Sequence, residues 1–218
     1  MITISAYRWV PDFAQGLVKD LRVRWALEEA GLAYETRLIG PDDQASAAYR
    51  ALQPFGQVPT LEDDGVMLFE SGAIVLYIAE RSEALAPSDA AGRARTRTWV
   101  LAALNSIEPA VDQLGDTYSD AAQDWAKQRR APCEAHMRKR LGELQAWLGD
   151  QDYLEGRFTA GDLMMTTVLR NLRQTTLLDD YPGLAAYKAR CEARPAFARA
   201  LAAHMAPFKA HEAALASA

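Results

Sequence analysis

Apolar and polar residues alternate along residues 2–6, and this period of two predicts a short β-strand. Leu17, Leu21 and Trp25 then recur at four-residue spacing, and Gly31 follows where a helix C-terminal cap belongs, so a helix is expected. The predicted elements of this first part are strands at 2–6, 34–39, 58–61 and 66–69 and helices at 17–30, 42–52 and 71–81.

The order of these elements is β-α-β-α-β-β-α. Two strands that are joined through a helix favour parallel pairing, whereas a hairpin demands antiparallel pairing. Asp63-Asp64-Gly65 lies between the last two strands and is a strong hairpin-turn signal. The pattern therefore predicts a mixed four-stranded α/β sheet with helices on its faces.

No strand pattern follows residue 82, and Pro87 with its small neighbours indicates a linker. Helices are expected at about 89–115, 122–149, 160–176, 182–194 and 195–210. Thr159-Ala160-Gly161-Asp162 has the pattern of a capping box, with Asp in the usual Glu or Gln position. The predicted organisation is an α/β domain over 1–81, a linker over 82–88 and an all-α domain over 89–218.

The formal net charge of -5 is not that of a nucleic-acid-binding protein, and no nucleic-acid partner is expected. The basic clusters at 93–97 and 138–140 indicate solvated helix faces. No apolar run is long enough to span a membrane and no leader pattern is seen, so the expected location is the cytoplasm. Cys133 and Cys191 have no metal-like spacing, and no metal site is expected.

Pro59 stands at the head of a predicted inner strand, where a residue without an N–H cannot complete the ladder. A cis Val58–Pro59 bond resolves this conflict and leaves the Val58 N–H and C=O free to pair with an extended ligand backbone. The alternative is an edge-strand proline without a binding role.

Glu70-Ser71 lies between a strand and a helix start. The unpaired N–H groups of that helix and the Ser71 hydroxyl suit a carboxylate, while Glu70 suits an ammonium group. Together they predict a site for an amino-acid head. The alternative is that Ser71 only caps its helix and that Glu70 only favours the helix dipole.

Together these two motifs, Gln57-Val58-Pro59-Thr60-Leu61 and Glu70-Ser71-Gly72-Ala73-Ile74, resemble the glutathione site of cytosolic glutathione transferases of the bacterial type. The resemblance implies a thioredoxin-like N-terminal domain, an all-helical C-terminal domain, and glutathione as co-substrate. It implies that Val58, beside cis-Pro59, pairs with the cysteinyl backbone of glutathione and that Glu70 and Ser71 hold its γ-glutamyl end. Gln57 would add a side-chain contact, and Arg50 is placed to bind the glycyl carboxylate. The capping box of residues 159–162 resembles the family's folding signature.

The group that activates the thiol is the point of departure from the family. Leu17 stands where many bacterial members carry a Ser or Cys at the start of the first helix. Other classes of the family use a Tyr at the end of the first strand, where Tyr7 stands, so the resemblance makes Tyr7 the candidate catalytic hydroxyl. The alternatives are Ser5 or a backbone N–H of the 9–16 loop, with Tyr7 only packing at the strand end. Cys133 is the first cysteine of the chain, so N-terminal-cysteine reductase chemistry is disfavoured.

The resemblance also implies an electrophile site between the domains and a homodimer. Aromatic and polar side chains that could line this site are Trp9, Phe13, Trp99, Asn105, Glu108 and Tyr118. Asn105 and Glu108, three residues apart, are expected on one helix face. Phe55 is placed like an aromatic that enters the partner subunit in some classes.

The expected function is the addition of the glutathione thiolate to a small hydrophobic electrophile. One alternative is another glutathione chemistry, isomerisation or peroxide reduction, on the same fold. A second alternative is a binding or interaction module with little catalysis.

Overall fold

The computed structural model describes residues 1–216, which fall into two compact units, one formed by 1–85 with 194–216 and the other by 86–193. We call them unit 1 and unit 2. The elements of unit 1 are β1 (Ile2–Tyr7), α1 (Asp20–Ala30), β2 (Tyr34–Ile39), α2 (Pro41–Ala45), α3 (Ala47–Leu52), β3 (Thr60–Asp63), β4 (Val66–Phe69), α4 (Ser71–Ala79) and α10 (Pro195–Ala216).

The sheet of unit 1 has the predicted mixed topology, in the order β2-β1-β3-β4. β1 pairs with β2 in parallel and with β3 antiparallel, and β3 pairs with β4 through a two-residue turn. Asp64 and Gly65 both have positive φ angles, 46° and 84°, as a tight hairpin turn of this kind requires. β3 is an inner strand, so Pro59 lies at the head of an inner strand, as the sequence indicates.

The first two predicted helices of unit 1 have different bounds from those expected. α1 begins at Asp20, three residues after Leu17, and ends on left-handed Gly31 as predicted. The segment expected as one helix is divided into α2 and α3, because Ser46 adopts an extended conformation and its Oγ accepts the N–H of Tyr49 as the cap of α3.

The regular elements of unit 2 are all helical. Its elements are α5 (Ala90–Ala102), a π-helical turn (Ala103–Ile107), α6 (Glu108–Ser119), α7 (Asp124–Leu148), α8 (Ala160–Leu169), two 3₁₀ turns (Arg170–Gln174 and Leu177–Asp180) and α9 (Pro182–Glu192). Cys133 and Cys191 are both buried there. No helix within residues 1–216 is long and apolar enough to cross a membrane.

The π-helical turn corrects one expectation. Pro109 has no N–H to donate and its ring crowds the carbonyl four residues earlier, so a regular helix cannot run from α5 into α6. The wider turn breaks the three-residue repeat: Asn105 is exposed while Glu108 is 6% exposed. The two side chains therefore do not share the same environment on one helix face.

The last helix, α10, also differs from the predicted organisation. The sequence assigns residues 89–218 to one domain, of which 217–218 lie outside the described residues. In the structure α10 groups with unit 1, where it packs along α1. The rings of Trp25 and Phe197 meet edge to face at 4.8 Å, and Arg194 forms paired hydrogen bonds with the carboxylate of Glu29.

Candidate active site

Hydrogen bonds fix the backbone on both sides of Val58. The Val58–Pro59 bond is cis, as predicted. On one side the Tyr49 hydroxyl donates to the carbonyl of Gln57 at 2.7 Å, and on the other the N–H of Thr60 donates to Ser5 Oγ at 2.7 Å. No hydrogen bond within the described part of the chain takes up the N–H or C=O of Val58 itself. The fixed neighbours leave the backbone N–H and C=O of Val58 available for an extended ligand.

Ser5 is part of this support. It is 1% exposed, accepts the Thr60 N–H and the Thr60 hydroxyl, and lies 2.8 Å from the Tyr49 hydroxyl. Because Tyr49 donates to Gln57, the Ser5 proton is left to donate to Tyr49. The Ser5 hydroxyl is thus fully used within the protein, which argues against the alternative that Ser5 activates a thiol.

The start of α4 carries the second predicted motif. Glu70 is exposed and has φ 71°, an uncommon conformation for a residue with a Cβ, and no side chain caps the helix. Ser71 is the first helical residue and is 5% exposed, and its Oγ accepts a hydrogen bond from Arg22 Nη1 at 3.1 Å. Because Ser71 Oγ accepts this bond, the Ser71 proton is left to donate, and a hydroxyl donor beside a guanidinium is a combination that suits a carboxylate. Ser71 does not act as the helix cap that the alternative interpretation required.

Tyr7 is half-buried and packs against the small cluster of Ile39, Tyr49 and Val58. Its hydroxyl accepts a hydrogen bond from Gln44 Nε2 at 3.2 Å, so its own proton remains available to donate. Burial raises the pKa of Tyr7 above its ordinary value, and Tyr49 and Asp20 raise it further. Tyr7 is therefore a neutral phenol at neutral pH, and it can stabilise a thiolate only as a hydrogen-bond donor.

The loop of residues 9–16 is the alternative source of a hydrogen-bond donor to the thiolate. The backbone N–H groups toward its C-terminal end are already paired. The N–H groups of Ala14, Gln15 and Leu17 donate to carbonyls of the loop itself. The N–H of Gly16 donates to His204 Nε2 at 3.2 Å, and His204 Nδ1 lies 3.0 Å from Asp20 Oδ2. This arrangement, with α10 holding the loop, weakens the case for these amides as thiol activators.

A cavity of about 440 Å³ opens beside Tyr7 within unit 1. Trp9, Val10 and Pro11 of the loop form an apolar wall, and Arg8 and His211 add basic groups. Trp9 is 40% exposed, and its ring lies 5.7 Å from that of His211. Of the predicted electrophile-site residues in this unit, Trp9 lines the cavity, while Phe13 is 66% exposed on the loop surface outside the lining.

The comparisons with known proteins agree with this geometry. The family model "Glutathione S-transferase, N-terminal domain" matches residues 21–87, and "Glutathione S-transferase, C-terminal domain" matches 113–204. A glutathione S-transferase of Hyoscyamus muticus is 30% identical over 83% of this chain and 92% of the relative. This chain belongs to the glutathione S-transferase family.

Solved structures of the family give the same result. A glutathione transferase from Burkholderia graminis, solved with two glutathione molecules per subunit, is 30% identical, with a TM-score of 0.79 over 92% of this chain and 87% of that one. A theta-class glutathione S-transferase from Xanthomonas axonopodis pv. citri with glutathione bound is 31% identical, with a TM-score of 0.74 over 92% and 96%. The chain is accordingly an enzyme, a glutathione transferase with the family's fold.

Two glutathione-site residues predicted from the family pattern lie at the surface. Arg50 is exposed and its Nη1 donates to the carbonyl of Pro54 at 3.1 Å. Its guanidinium lies so close over Gly56 that a Cβ there would meet Arg50 Cζ at 2.5 Å. Gln57 is exposed, with its carbonyl held by Tyr49. The roles of both side chains toward glutathione stay predictions.

The candidates in unit 2 are engaged in contacts of their own. Trp99 Nε1 donates to Glu155 Oε1 at 2.8 Å, and its ring lies 5.2 Å from that of Trp147 beside a separate cavity of about 240 Å³. The hydroxyl of Tyr118 donates to Glu134 at 3.0 Å, and the guanidinium of Arg130 lies over its ring. Roles for Trp99, Asn105, Glu108 and Tyr118 at the electrophile site stay predictions.

Sequence reasoning missed several residues that build the candidate site. Gln44 joins the Tyr7 hydroxyl to the carbonyl of Gly56, Tyr49 holds the Val58 peptide, and His204 holds the loop from α10. A helix pattern over 42–52 gives no reason to single out Gln44 or Tyr49. Arg22 lies in the predicted first helix, but its hydrogen bond to Ser71 connects residues 49 positions apart, which the helix pattern does not indicate.

Proposed function

We propose that this transferase joins the glutathione thiolate to a small hydrophobic electrophile held in the cavity beside Tyr7. The observation that carries the proposal is the peptide group of Val58, fixed by Tyr49 on one side and Ser5 on the other with its own N–H and C=O unpaired by described residues. A thiol-containing tripeptide pairs with such a group through its cysteinyl backbone.

The γ-glutamyl end of the tripeptide has matching partners. Ser71 and Arg22 receive the α-carboxylate of the γ-glutamyl residue, and exposed Glu70 receives its α-ammonium group. Tyr7 lines the cavity, and its ring packs against the cluster that contains Val58. The cysteine sulfur then lies within reach of the Tyr7 hydroxyl and of a molecule in the cavity.

The chemistry required of the protein is modest. A free thiol has a pKa of about 8.5, so roughly 3% of it is ionised at pH 7. A donor that lowers this pKa by about one unit stabilises the thiolate by about 1.4 kcal/mol. The thiol proton passes to solvent, the sulfur forms a bond to the electrophilic carbon, and the displaced electron pair leaves with the departing group.

Steady-state conjugation to methyl 4-chloro-3-nitrobenzoate, a small neutral electrophile, tests this function. We expect saturable turnover, and we expect Tyr49→Phe to raise the KM for glutathione about fivefold, because the Gln57 carbonyl loses its hydrogen bond. Tyr153→Phe in unit 2, where the ring packs on Phe158, is the matched control and should leave KM unchanged. Absence of saturation by glutathione would contradict the proposal.

We also propose that the enzyme is a cytoplasmic homodimer, as is usual in the family. Phe55 is 64% exposed in the single chain, and its ring meets that of Phe69 at 6.2 Å. Two exposed aromatic rings side by side suit burial against a second subunit. Light scattering at micromolar concentration should give the dimer mass, and Phe55→Ala should promote dissociation. A monomeric parent would refute the dimer, and an undiminished Phe55→Ala dimer would refute the anchor.

A further inference from the structure

The cavity beside Tyr7 combines an apolar wall with basic side chains. Trp9, Val10 and Pro11 offer an aromatic and aliphatic surface, whereas Arg8 and His211 both line the same space. An apolar pocket gains its selectivity from a small number of placed polar groups. The chain as a whole has a net charge of -5, so basic side chains in this cavity stand out. A neutral hydrophobic electrophile would give them no charged partner.

The guanidinium of Arg8 keeps most of its donor capacity. Its side chain is 57% exposed, and its partner is Asp43, at 3.9 Å between Nη2 and Oδ2, which is an ion pair without a hydrogen bond. That same Asp43 oxygen already accepts the N–H of Gly40 at 2.9 Å. A guanidinium carries five N–H donors, so Arg8 can also bind a second, better-aligned carboxylate.

His211 faces the same space from α10. Its ring is tilted against that of Trp9, and an imidazole presents an N–H donor in each of its protonation states. The neighbouring acid Glu212 is occupied by Gln15 Nε2 at 2.8 Å, and Asp12 by the same amide at 3.3 Å. These acidic groups at the loop therefore have donors of their own.

We propose that the preferred electrophile is an aromatic acid, whose ring lies on Trp9 and whose carboxylate is held by Arg8 and His211. This inference rests on the proposed function and names its substrate class. For a chloronitrobenzoate, the thiolate bonds to the ring carbon that carries chlorine, and chloride leaves with the electron pair of the broken bond. The thiol proton passes to solvent, so the step needs no further reactant.

The test compares 4-chloro-3-nitrobenzoate with its methyl ester, which has the same ring and leaving group but no charge. The measured quantity is the ratio of kcat/KM for the acid to that for the ester. We expect Arg8→Gln to lower this ratio about tenfold and Arg8→Lys, which keeps the charge, to lower it less. Arg37→Gln is the matched control, because Arg37 pairs with Glu62 on the sheet surface.

Three results would overturn the inference. One is a ratio unchanged by Arg8→Gln, and another is an equal loss in the control. The third is an Arg8→Gln variant whose defect lies in its affinity for glutathione, which would assign the guanidinium to the tripeptide.

A binding measurement separates the inference from the proposed function. Calorimetric titration with 4-nitrobenzoate needs no turnover, and we expect Arg8→Gln to weaken its binding about tenfold relative to the parent. If neither electrophile is turned over but this difference is found, the proposed function fails and the acid site stands. Equal binding to parent and variant overturns the acid site whether or not the ester is conjugated.

Discussion

Two helix starts, those of α4 and α8, share a similar sequence signal but differ in how their polar groups are satisfied. At α8, Thr159 and Asp162 form a reciprocal capping box, and Asp162 also accepts hydrogen bonds from the N–H of Leu154 and the hydroxyl of Tyr187. At α4 no side chain caps the helix, and Glu70 stays exposed. The start of α8 is completed by side chains of its own chain, whereas the start of α4 has no side-chain cap, as our proposal of a binding role for it requires.

The two helices are also anchored at opposite ends. α8 is fixed at its N-terminus by fully buried Asp162. α4 is fixed toward its C-terminus, where Tyr77 and Arg81 both donate to Asp63 at the end of β3. The contacts of Asp63 therefore fix α4 without using the groups at its start.

The largest expected effect comes from Asp162→Ala. The change leaves buried donors of Leu154, Thr159 and Tyr187 without an acceptor, and we expect the free energy of unfolding to fall by about 4 kcal/mol. Urea denaturation followed by circular dichroism measures it. Asp116→Ala, at an exposed position of α6, is the control. A loss below about 1 kcal/mol would show that the capping box is not what stabilises α8.

The anchor of α4 should weaken next, in Asp63→Asn. Burial alone would raise the pKa of Asp63, but hydrogen bonds from Arg81 and Tyr77 outweigh it and hold the pKa below its usual range. The stabilisation is therefore present above the unfolded pKa of about 3.9 and is lost as pH falls through the lower folded pKa. We expect a loss of about 2 kcal/mol at pH 7 that shrinks below about pH 4.

Urea denaturation at several pH values checks this difference between parent and variant. If the difference in unfolding free energy between parent and variant stays constant from pH 7 to below about pH 4, a role for the ionised carboxylate is contradicted.

Ser71→Ala should separate binding from stability at α4. We expect the affinity for glutathione to fall by about 1–2 kcal/mol, because the bound carboxylate loses one donor, with little change in the unfolding free energy. Calorimetric titration measures the affinity, and Ser119→Ala at the exposed end of α6 is the control. Unchanged affinity would restrict Ser71 to its contact with Arg22.

The smallest effect expected is in the chemical step, in Tyr7→Phe. Loss of the hydroxyl donor should lower the conjugation rate about tenfold at neutral pH, corresponding to one unit in the thiol pKa. The effect should shrink at high pH, where glutathione ionises unaided. Affinity for glutathione should stay the same. A pH–rate profile that overlays the parent at every pH would assign the donor to an amide of the 9–16 loop.

Local signals in the sequence predicted most of the sheet and both helix starts. Particular backbone conformations are needed at Asp63-Asp64-Gly65 and at Gly31, and Pro59 leaves an inner strand without a backbone donor. Each of these signals can be interpreted from the local sequence, without knowledge of distant contacts. Pro109 was a local signal too, and it accounts for the π-helical turn where an unbroken helix was expected.

The residues that complete the site depend on contacts between distant parts of the chain. His204 meets Gly16 across 188 positions, and His211 enters the cavity only because α10 packs along α1. Neither histidine has a motif around it. Periodicity identifies the buried face of a helix, but it does not say which sheet or helix that face will meet.

The central claim is that the start of α4 and the Val58 peptide together bind glutathione through its γ-glutamyl end and its cysteinyl backbone. The most direct measurement is calorimetric titration of the parent and of Glu70→Gln with glutathione and with cysteinylglycine, which lacks the γ-glutamyl group. The account predicts that the parent binds glutathione about a hundredfold more tightly than the dipeptide. In Glu70→Gln the ratio of the two affinities should fall to about ten, because the α-ammonium group loses its charged partner. Equal affinity of the parent for the two peptides would contradict it.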